Sequence, residues 1–139
     1  MKLKIRAFTL LECLVALLAI SGSVLVISGL TQLLQQQMAE EQTNQEKDWQ
    51  IFCEQMRGEL EGTKLDDVSQ NFLYITKSKA LRYGLVGNDF RKTDAQGKGY
   101  QPMLFGIKSC QMLDDMGLVK ITITFDNGGK RTFVYKFEE

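Results

Sequence analysis

The first third of the chain is dominated by one apolar run. Between residues 8 and 38 the only charged residue is Glu12, and the apolar side chains would cover every face of a helix instead of one stripe. A helix over residues 10–30 would be about 31 Å long, which is enough to cross a bilayer core of about 30 Å. The pattern therefore predicts a membrane-spanning helix over residues 8–34.

Residues 35–61 continue the helical pattern in a polar composition. The stretch from 35 to 48 contains no Gly or Pro and is rich in Gln and Glu, which are good helix formers. Apolar side chains then recur at helical spacing, and Gly62 is suited to end the helix. The members of this apolar series are Trp49, Phe52, Cys53, Met56 and Leu60. We expect one helix over about residues 9–61, exposed in its middle and packed at its last turns on the domain that follows.

The rest of the chain, residues 62–139, predicts a small antiparallel β domain. Two hairpins are expected, each formed by two apolar runs around a short polar turn. Their strands lie at residues 72–77, 80–86, 118–125 and 131–137. A further strand is expected at residues 103–108, continuing over 110–113, and the polar residues 88–102 are expected to form a loop. The fold class is therefore α+β, a long N-terminal helix packed on one sheet of four or five strands.

The composition offers few groups for catalysis, metal binding or cofactor binding. The 139 residues include no His, so the chain lacks the commonest general base and zinc ligand. Adjacent carboxylates occur at Asp66-Asp67 and Asp114-Asp115, but we expect both pairs in turns, and on a strand they would point to opposite faces. The segment Gly97-Lys98-Gly99 lacks the spacing and the ending of a phosphate-binding P-loop. We therefore expect no enzyme activity, no cofactor and no metal site.

Glu12 is out of place in an ordinary membrane anchor, because a carboxylate costs about 2.5–3.5 kcal/mol at mid-membrane and less near an edge. A cleaved secretory signal would have a shorter apolar region followed by a small-residue cleavage site. The basic leader, Ala7, the segment Phe8-Thr9-Leu10-Leu11-Glu12 and the long apolar helix resemble the type III signal of type IV pilins and pseudopilins. The resemblance implies a pilin-like form of the α+β fold.

In that family a membrane prepilin peptidase cuts on the cytoplasmic side and N-methylates the new terminal residue. The resemblance implies that residues 1–7 are a cytoplasmic leader, that cleavage falls between Ala7 and Phe8, and that Phe8 is methylated. The family usually has Gly at the position of Ala7. The resemblance also implies that Glu12 pairs with the Phe8 amine of an adjacent subunit. A buried cation and a buried carboxylate are each costly alone and offset one another when paired.

A second resemblance lies in the β domain. Residues 89–92, Asp-Phe-Arg-Lys, and residues 97–107, Gly-Lys-Gly-Tyr-Gln-Pro-Met-Leu-Phe-Gly-Ile, are similar to the competence pseudopilin family ComGF of Gram-positive bacteria, of the streptococcal type. This resemblance implies a minor pseudopilin of the competence pseudopilus. Its partners would be other major and minor pseudopilins, and its work would be to support DNA uptake.

Two other functions remain open. A minor pseudopilin of a type II secretion system or type IV pilus without a DNA role would have the same front end and fold. A plain single-pass envelope protein whose sheet binds a ligand would share the apolar helix but would keep its leader. In each case the three basic residues of positions 1–7 place the N-terminus in the cytoplasm and the β domain outside the membrane.

Direct contact with DNA is a further candidate. Six basic residues lie between positions 77 and 98 with aromatic residues interleaved, as a groove for a single strand needs. They are Lys77, Lys79, Arg82, Arg91, Lys92 and Lys98. An ordinary charged rim of a small sheet has the same composition. Without the leader, 14 basic residues remain against 17 acidic ones, so the mature chain as a whole does not attract a polyanion.

The three cysteines do not have the spacing of a metal site. Cys13 lies in the apolar run, whereas Cys53 and Cys110 would both lie outside the membrane. A disulfide between Cys53 and Cys110 across the helix–sheet junction is one interpretation, and two small buried hydrophobic side chains are the other.

Overall fold

The computed structural model describes residues 9–138. One helix, α1 (Leu10–Leu60), is followed by eight strands. The strands are β1 (Lys64–Ser69), β2 (Phe72–Thr76), β3 (Ala80–Val86), β4 (Asp89–Asp94), β5 (Gln101–Leu104), β6 (Ile107–Asp115), β7 (Leu118–Phe125) and β8 (Lys130–Lys136). The predicted α+β class is confirmed. The chain divides into two compact units, with the boundary between Gln45 and Glu46.

The predicted helix is confirmed to within one residue at each end. Its C-terminal end has a local cause, because Gly62 adopts a left-handed conformation with φ of 67° that few other residues tolerate. Two carbonyls of the last turn are satisfied there, since Glu61 N–H donates to Arg57 O and Thr63 N–H donates to Leu60 O.

The strands form two antiparallel sheets instead of one. The five-stranded sheet has the order β1-β2-β3-β4-β5, and the three-stranded sheet has the order β6-β7-β8. Both predicted hairpins are confirmed, as β2 pairs with β3 and β7 pairs with β8. The strand β1 is absent from the sequence prediction, which expected its residues Asp66-Asp67 in a turn. That expectation is wrong, because Asp66 occupies a bulge in β1 and accepts a hydrogen bond from Thr76 Oγ1.

The prediction of a loop over residues 88–102 is wrong for most of that range. Residues 89–94 are the strand β4, and Gln101 begins β5. The segment is polar, yet its side chains find partners in the fold. Phe90 is fully buried, and the charged residues Asp89 and Lys92 each form an ion pair. Residues 89–94 therefore form a strand although their composition is typical of a loop, because Phe90 is buried and the polar groups have partners.

The single strand expected over residues 103–113 is two strands in different sheets. Gly106, with φ of 70°, separates β5 from β6, and its carbonyl accepts a hydrogen bond from Asp126 N–H. Pro102 lies in β5, the edge strand of its sheet, where the missing N–H of proline is tolerated. The pair Asp114-Asp115 ends β6, and Asp114 caps the turn that follows by accepting from Gly117 N–H.

The core of the second unit lies where the last turns of α1 meet both sheets. Phe52, Met56 and Leu60 are buried, and Trp49 and Cys53 pack against the same cluster, so the predicted apolar face is confirmed. The ring of Phe52 lies edge-on to Phe90 of the five-stranded sheet at 5.0 Å and to Phe133 of the three-stranded sheet at 6.2 Å. Such aromatic pairs add about 0.5–1.5 kcal/mol each beyond burial of their area.

Candidate functional site

The apolar half of α1 is exposed along its described length. Every side chain from residue 10 to residue 44 is exposed, and Leu25, for example, is 73 % exposed. Within the described residues, α1 is the one helix long and apolar enough to cross a membrane. Burying a large aliphatic side chain is worth about 1.5–3 kcal/mol, so a surface of this kind is stable only against lipid or against other apolar helices.

Three hydroxyl groups in this half bond within the helix. Ser21 Oγ donates to Leu17 O at 2.6 Å, and Ser23 Oγ donates to Ala19 O at 2.8 Å. Thr31 Oγ1 makes the same type of bond. Polar groups that bond back to the preceding turn need no water, which suits them to a lipid or helix-bundle environment.

Glu12 takes part in a capping box at the start of α1. The Thr9 N–H donates to Glu12 Oε2 at 2.8 Å, and the Glu12 N–H donates to Thr9 Oγ1 at 3.2 Å. Both bonds satisfy backbone donors that a helix leaves unpaired at its N-terminal end. The role of Thr9 was not among the sequence predictions, although the spacing Thr-x-x-Glu before an apolar run is the known signal. Ala7 and Phe8, the predicted processing site, lie outside the described residues.

The six basic residues proposed for DNA contact do not form one surface. Strand register pairs Tyr83 with Lys92, and both side chains reach Glu59 of α1, so Lys92 lies on the helix side of the sheet. The alternation of side chains puts Arg82 and Arg91 on the opposite face. Lys77, Lys79 and Lys98 lie in the connections that flank β3 and β4.

The two arginines on the outer face are held by aromatic rings. The Arg82 guanidinium lies 4.2 Å from the centre of the Phe72 ring, and the Arg91 guanidinium lies 4.6 Å from that of Tyr100. Arg91 also donates two hydrogen bonds to Asp89 and one to Val86 O. These hydrogen bonds to the Asp89 carboxylate raise the pKa of Arg91. Arg91 therefore supports the local structure, and three of its five N–H donors are used there.

All three cysteines are free thiols in the structure. Cys110 is buried in β6, and burial raises its pKa to about 12. Burial also raises the pKa of Cys53, although the nearby Arg57 charge opposes the shift. Thiols with raised pKa values react slowly with oxidants and alkylating agents. Among residues 9–138, no three His, Cys, Asp or Glu side chains are arranged to hold a metal ion.

Comparison with known proteins finds a family similarity over most of the chain. A model of the family described as competence protein ComGF matches residues 33–131. The match extends over more than two thirds of the chain, from the second half of α1 to the start of β8. A search of curated proteins finds no match. A search of solved structures finds none either.

Proposed function

The chain belongs to the ComGF family of competence proteins, and we propose that it is a minor pseudopilin of the competence pseudopilus. In this role it assembles with other major and minor pseudopilins and supports DNA uptake. Its work is binding and assembly, and no catalysis is required of it.

The observation that carries the proposal is the exposed apolar half of α1. A surface that is apolar on all sides from residue 10 to residue 34 is suited to two environments, the bilayer before assembly and a bundle of similar helices after it. Transfer between the two leaves the apolar area covered throughout. An isolated membrane anchor needs only the first environment and has no use for a carboxylate at residue 12.

Glu12 gives the assembly its register. In the proposal, a prepilin peptidase cuts between Ala7 and Phe8 and methylates the Phe8 amine, which is then a cation at the edge of the apolar region. The Glu12 carboxylate of one subunit pairs with the Phe8 amine of its neighbour. The capping box supports this role because Thr9 holds the Glu12 side chain at the end of the helix, so less side-chain freedom is lost when the pair forms.

The proposed location is the cytoplasmic membrane, with a single span. The leader residues Lys2, Lys4 and Arg6 are basic, and the positive-inside rule then keeps the N-terminus in the cytoplasm and the two sheets outside. After assembly into the pseudopilus the β domain is at the cell surface.

Pseudopilins of secretion systems or pili without a DNA role would have the same apolar helix and the same processing site. The family match favours the competence function over these, because the matched residues include most of the β domain, which lies outside the apolar helix that all of these proteins share. A single-pass envelope protein that binds a ligand would lack processing between Ala7 and Phe8.

Two measurements test the proposal. Mass spectrometry of the full chain from cells with prepilin peptidase should find an N-methylated Phe8 terminus, and from cells without it the leader should remain. Deletion of the gene should abolish transformation, and the wild-type gene should restore it. A retained leader in both strains would identify an anchor protein, and normal DNA uptake after deletion would overturn the competence function.

A further inference from the structure

A groove of about 480 Å³ lies beside the end of β3 and β4, under the connection that joins β4 to β5. Its polar lining includes Lys79, Lys92, Asp94, Lys98 and Tyr100. The volume is in the range of about 300–1,000 Å³ that is usual for small-ligand sites. We propose that this groove binds a single strand of DNA, with phosphates on Lys79 and Lys98 and a base stacked on Tyr100.

The charge of the groove is positive, and two of its ammonium groups are available. Lys92 Nζ is bound to Glu59 at 2.7 Å, so it stabilises the groove wall. Lys79 and Lys98 are exposed, and within residues 9–138 their side chains make no hydrogen bond or ion pair. Free ammonium groups on an exposed surface are the groups that phosphates bind by displacing counterions.

The one carboxylate of the lining does not cancel this charge fully. Asp94 Oδ1 accepts hydrogen bonds from the backbone N–H of Gln96 at 3.0 Å and of Lys98 at 2.7 Å. These bonds fold the connection back on itself, and Gly97 and Gly99 complete the turn with φ of 83° and 97°. The connection therefore has a defined shape, and it sets Lys98 at the rim of the groove.

Tyr100 supplies a flat surface that is held in place. Its side chain is 64 % exposed, yet the Arg91 guanidinium lies 4.6 Å from its ring centre. Arg91 is itself held by Asp89 and by Val86 O. A ring on a rigid support loses little freedom when a base stacks on it, and such stacking is a main source of affinity for single strands.

The combination of features favours a nucleic acid over an acidic protein segment. An acidic helix of a neighbouring subunit would use the two lysines, but it supplies a ring for Tyr100 only where an aromatic residue falls beside its carboxylates. A DNA strand uses both, since it offers a phosphate and a base at every nucleotide. The choice of DNA as the polyanion rests on the proposed function, whereas the groove itself does not.

Binding is measured by fluorescence anisotropy of a labelled single-stranded oligonucleotide with the full chain in detergent micelles, over a series of salt concentrations. The double variant Lys79→Gln/Lys98→Gln should bind more weakly, and its dependence of log K on log salt should be less steep by about 1.4, since each phosphate contact on a single strand contributes about 0.7. The matched control is Lys108→Gln/Lys120→Gln, which changes two exposed lysines of the three-stranded sheet and should leave binding unchanged.

The stacking step has its own variants. Tyr100→Ala should weaken binding by about 5- to 150-fold, the equivalent of about 1–3 kcal/mol for one stacked base. Tyr100→Phe keeps the ring and should bind as the wild type does, as should Phe105→Ala, which removes another exposed ring. An oligomer of abasic nucleotides should compete poorly.

Competition and cell assays complete the test. Equal competition by abasic DNA or by polyglutamate would show a general anion site and overturn the proposal, as would unchanged binding by the double lysine variant. In cells, Lys79→Gln/Lys98→Gln should assemble into the sheared pseudopilus fraction normally but lower transformation. Normal transformation by this variant would refute DNA binding by the groove but not the proposed competence function. That function is tested separately by gene deletion and by processing at Phe8.

Discussion

The phenolic hydroxyl of Tyr83 donates a hydrogen bond of 2.9 Å to Glu59 Oε2. The same carboxylate oxygen accepts a hydrogen bond from Lys92 Nζ at 2.7 Å. Tyr83 lies in β3 and is fully buried, whereas Glu59 lies in the last turn of α1. These two bonds therefore fasten the end of α1 to the middle of the five-stranded sheet, next to the apolar contacts of Phe52 and Met56.

Tyr83→Phe removes one of these bonds and keeps the ring. We expect the free energy of unfolding to fall by about 2 kcal/mol, the usual value for a hydrogen bond to a charged group. Guanidinium titration of the full chain in micelles measures this, with fluorescence of Trp49, the single tryptophan, as the probe. Tyr74→Phe is the control, since Tyr74 is half-buried on the other face; equal stability of both variants would contradict the assigned role.

Because of Glu59, we expect the free energy of unfolding to fall as the solution becomes acidic. Burial raises the pKa of the Glu59 carboxyl, but the hydrogen bonds from Lys92 and Tyr83 outweigh it and the net shift is downward. The ionised carboxylate therefore contributes stability above the unfolded-state pKa of about 4.3, and this contribution is lost as the pH falls through the lower, folded-state value. In titrations between about pH 3 and about pH 6, which lie on either side of the ordinary glutamate pKa, Glu59→Gln should have a flatter profile than the wild type. Parallel profiles would show that Glu59 is not involved.

Two glycines should respond in opposite directions to alanine. A Cβ at Gly84 would overlap the Phe72 ring, so Gly84→Ala should lower the free energy of unfolding by about 1–3 kcal/mol through overpacking. Gly58 lies within α1 with nothing within 4 Å of an added Cβ. Gly58→Ala should therefore raise stability by about 0.5–1 kcal/mol. Denaturant midpoints compare the two, and a stable Gly84→Ala would mean that Phe72 moves aside freely.

The thiols of Cys53 and Cys110 should stay reduced and unreactive in the folded chain. Burial raises both pKa values, that of Cys110 to about 12, so little thiolate is present near neutral pH. Alkylation at pH 8 (a little below the usual thiol pKa of about 8.5) should label these two sites only after unfolding. Mass spectrometry of protein purified from the envelope should show no mass gain on reduction; a gain of two hydrogens would demonstrate the Cys53–Cys110 disulfide.

Variants at residues 9 and 12 separate capping from ion pairing. Glu12→Gln keeps a side chain that can close the capping box but removes the charge, so the helix should form and assembly and DNA uptake should fail. Thr9→Ala removes the cap at a cost of about 1 kcal/mol and keeps the carboxylate, so assembly should be only weakened. The sheared pseudopilus fraction and the transformation frequency are the measurements. Normal assembly of Glu12→Gln would refute the pairing with Phe8.

Several features depend on residues that are close together in the chain, and these were predictable. The end of α1 at Gly62 and the β7–β8 hairpin both follow from side chains within a few positions of each other. The helix face of Phe52, Met56 and Leu60 follows from periodicity. The Thr9–Glu12 capping box was equally local, and its spacing is sufficient to find it.

The strand β4 was not predictable from local pattern, because what makes it a strand lies far away. Lys92 can lie in a packed strand only because Glu59, 33 positions earlier in the chain, accepts a hydrogen bond from its ammonium group. The division of residues 103–113 between two sheets likewise depends on Gly106, whose carbonyl is bound by Asp126. Neither partner can be inferred from the run of residues around the strand.

The sequence by itself determined an apolar helix with one acid near its start, the place where that helix ends, and a domain of antiparallel strands. Only the tertiary structure decided how the basic residues are divided. Register turns Arg82 away from α1 and Lys92 toward it, and the folded connection after β4 brings Lys98 to the same groove as Lys79. The reason is that a strand turns successive side chains to opposite faces, so pairing between distant segments, and not composition, sets which charges share a surface.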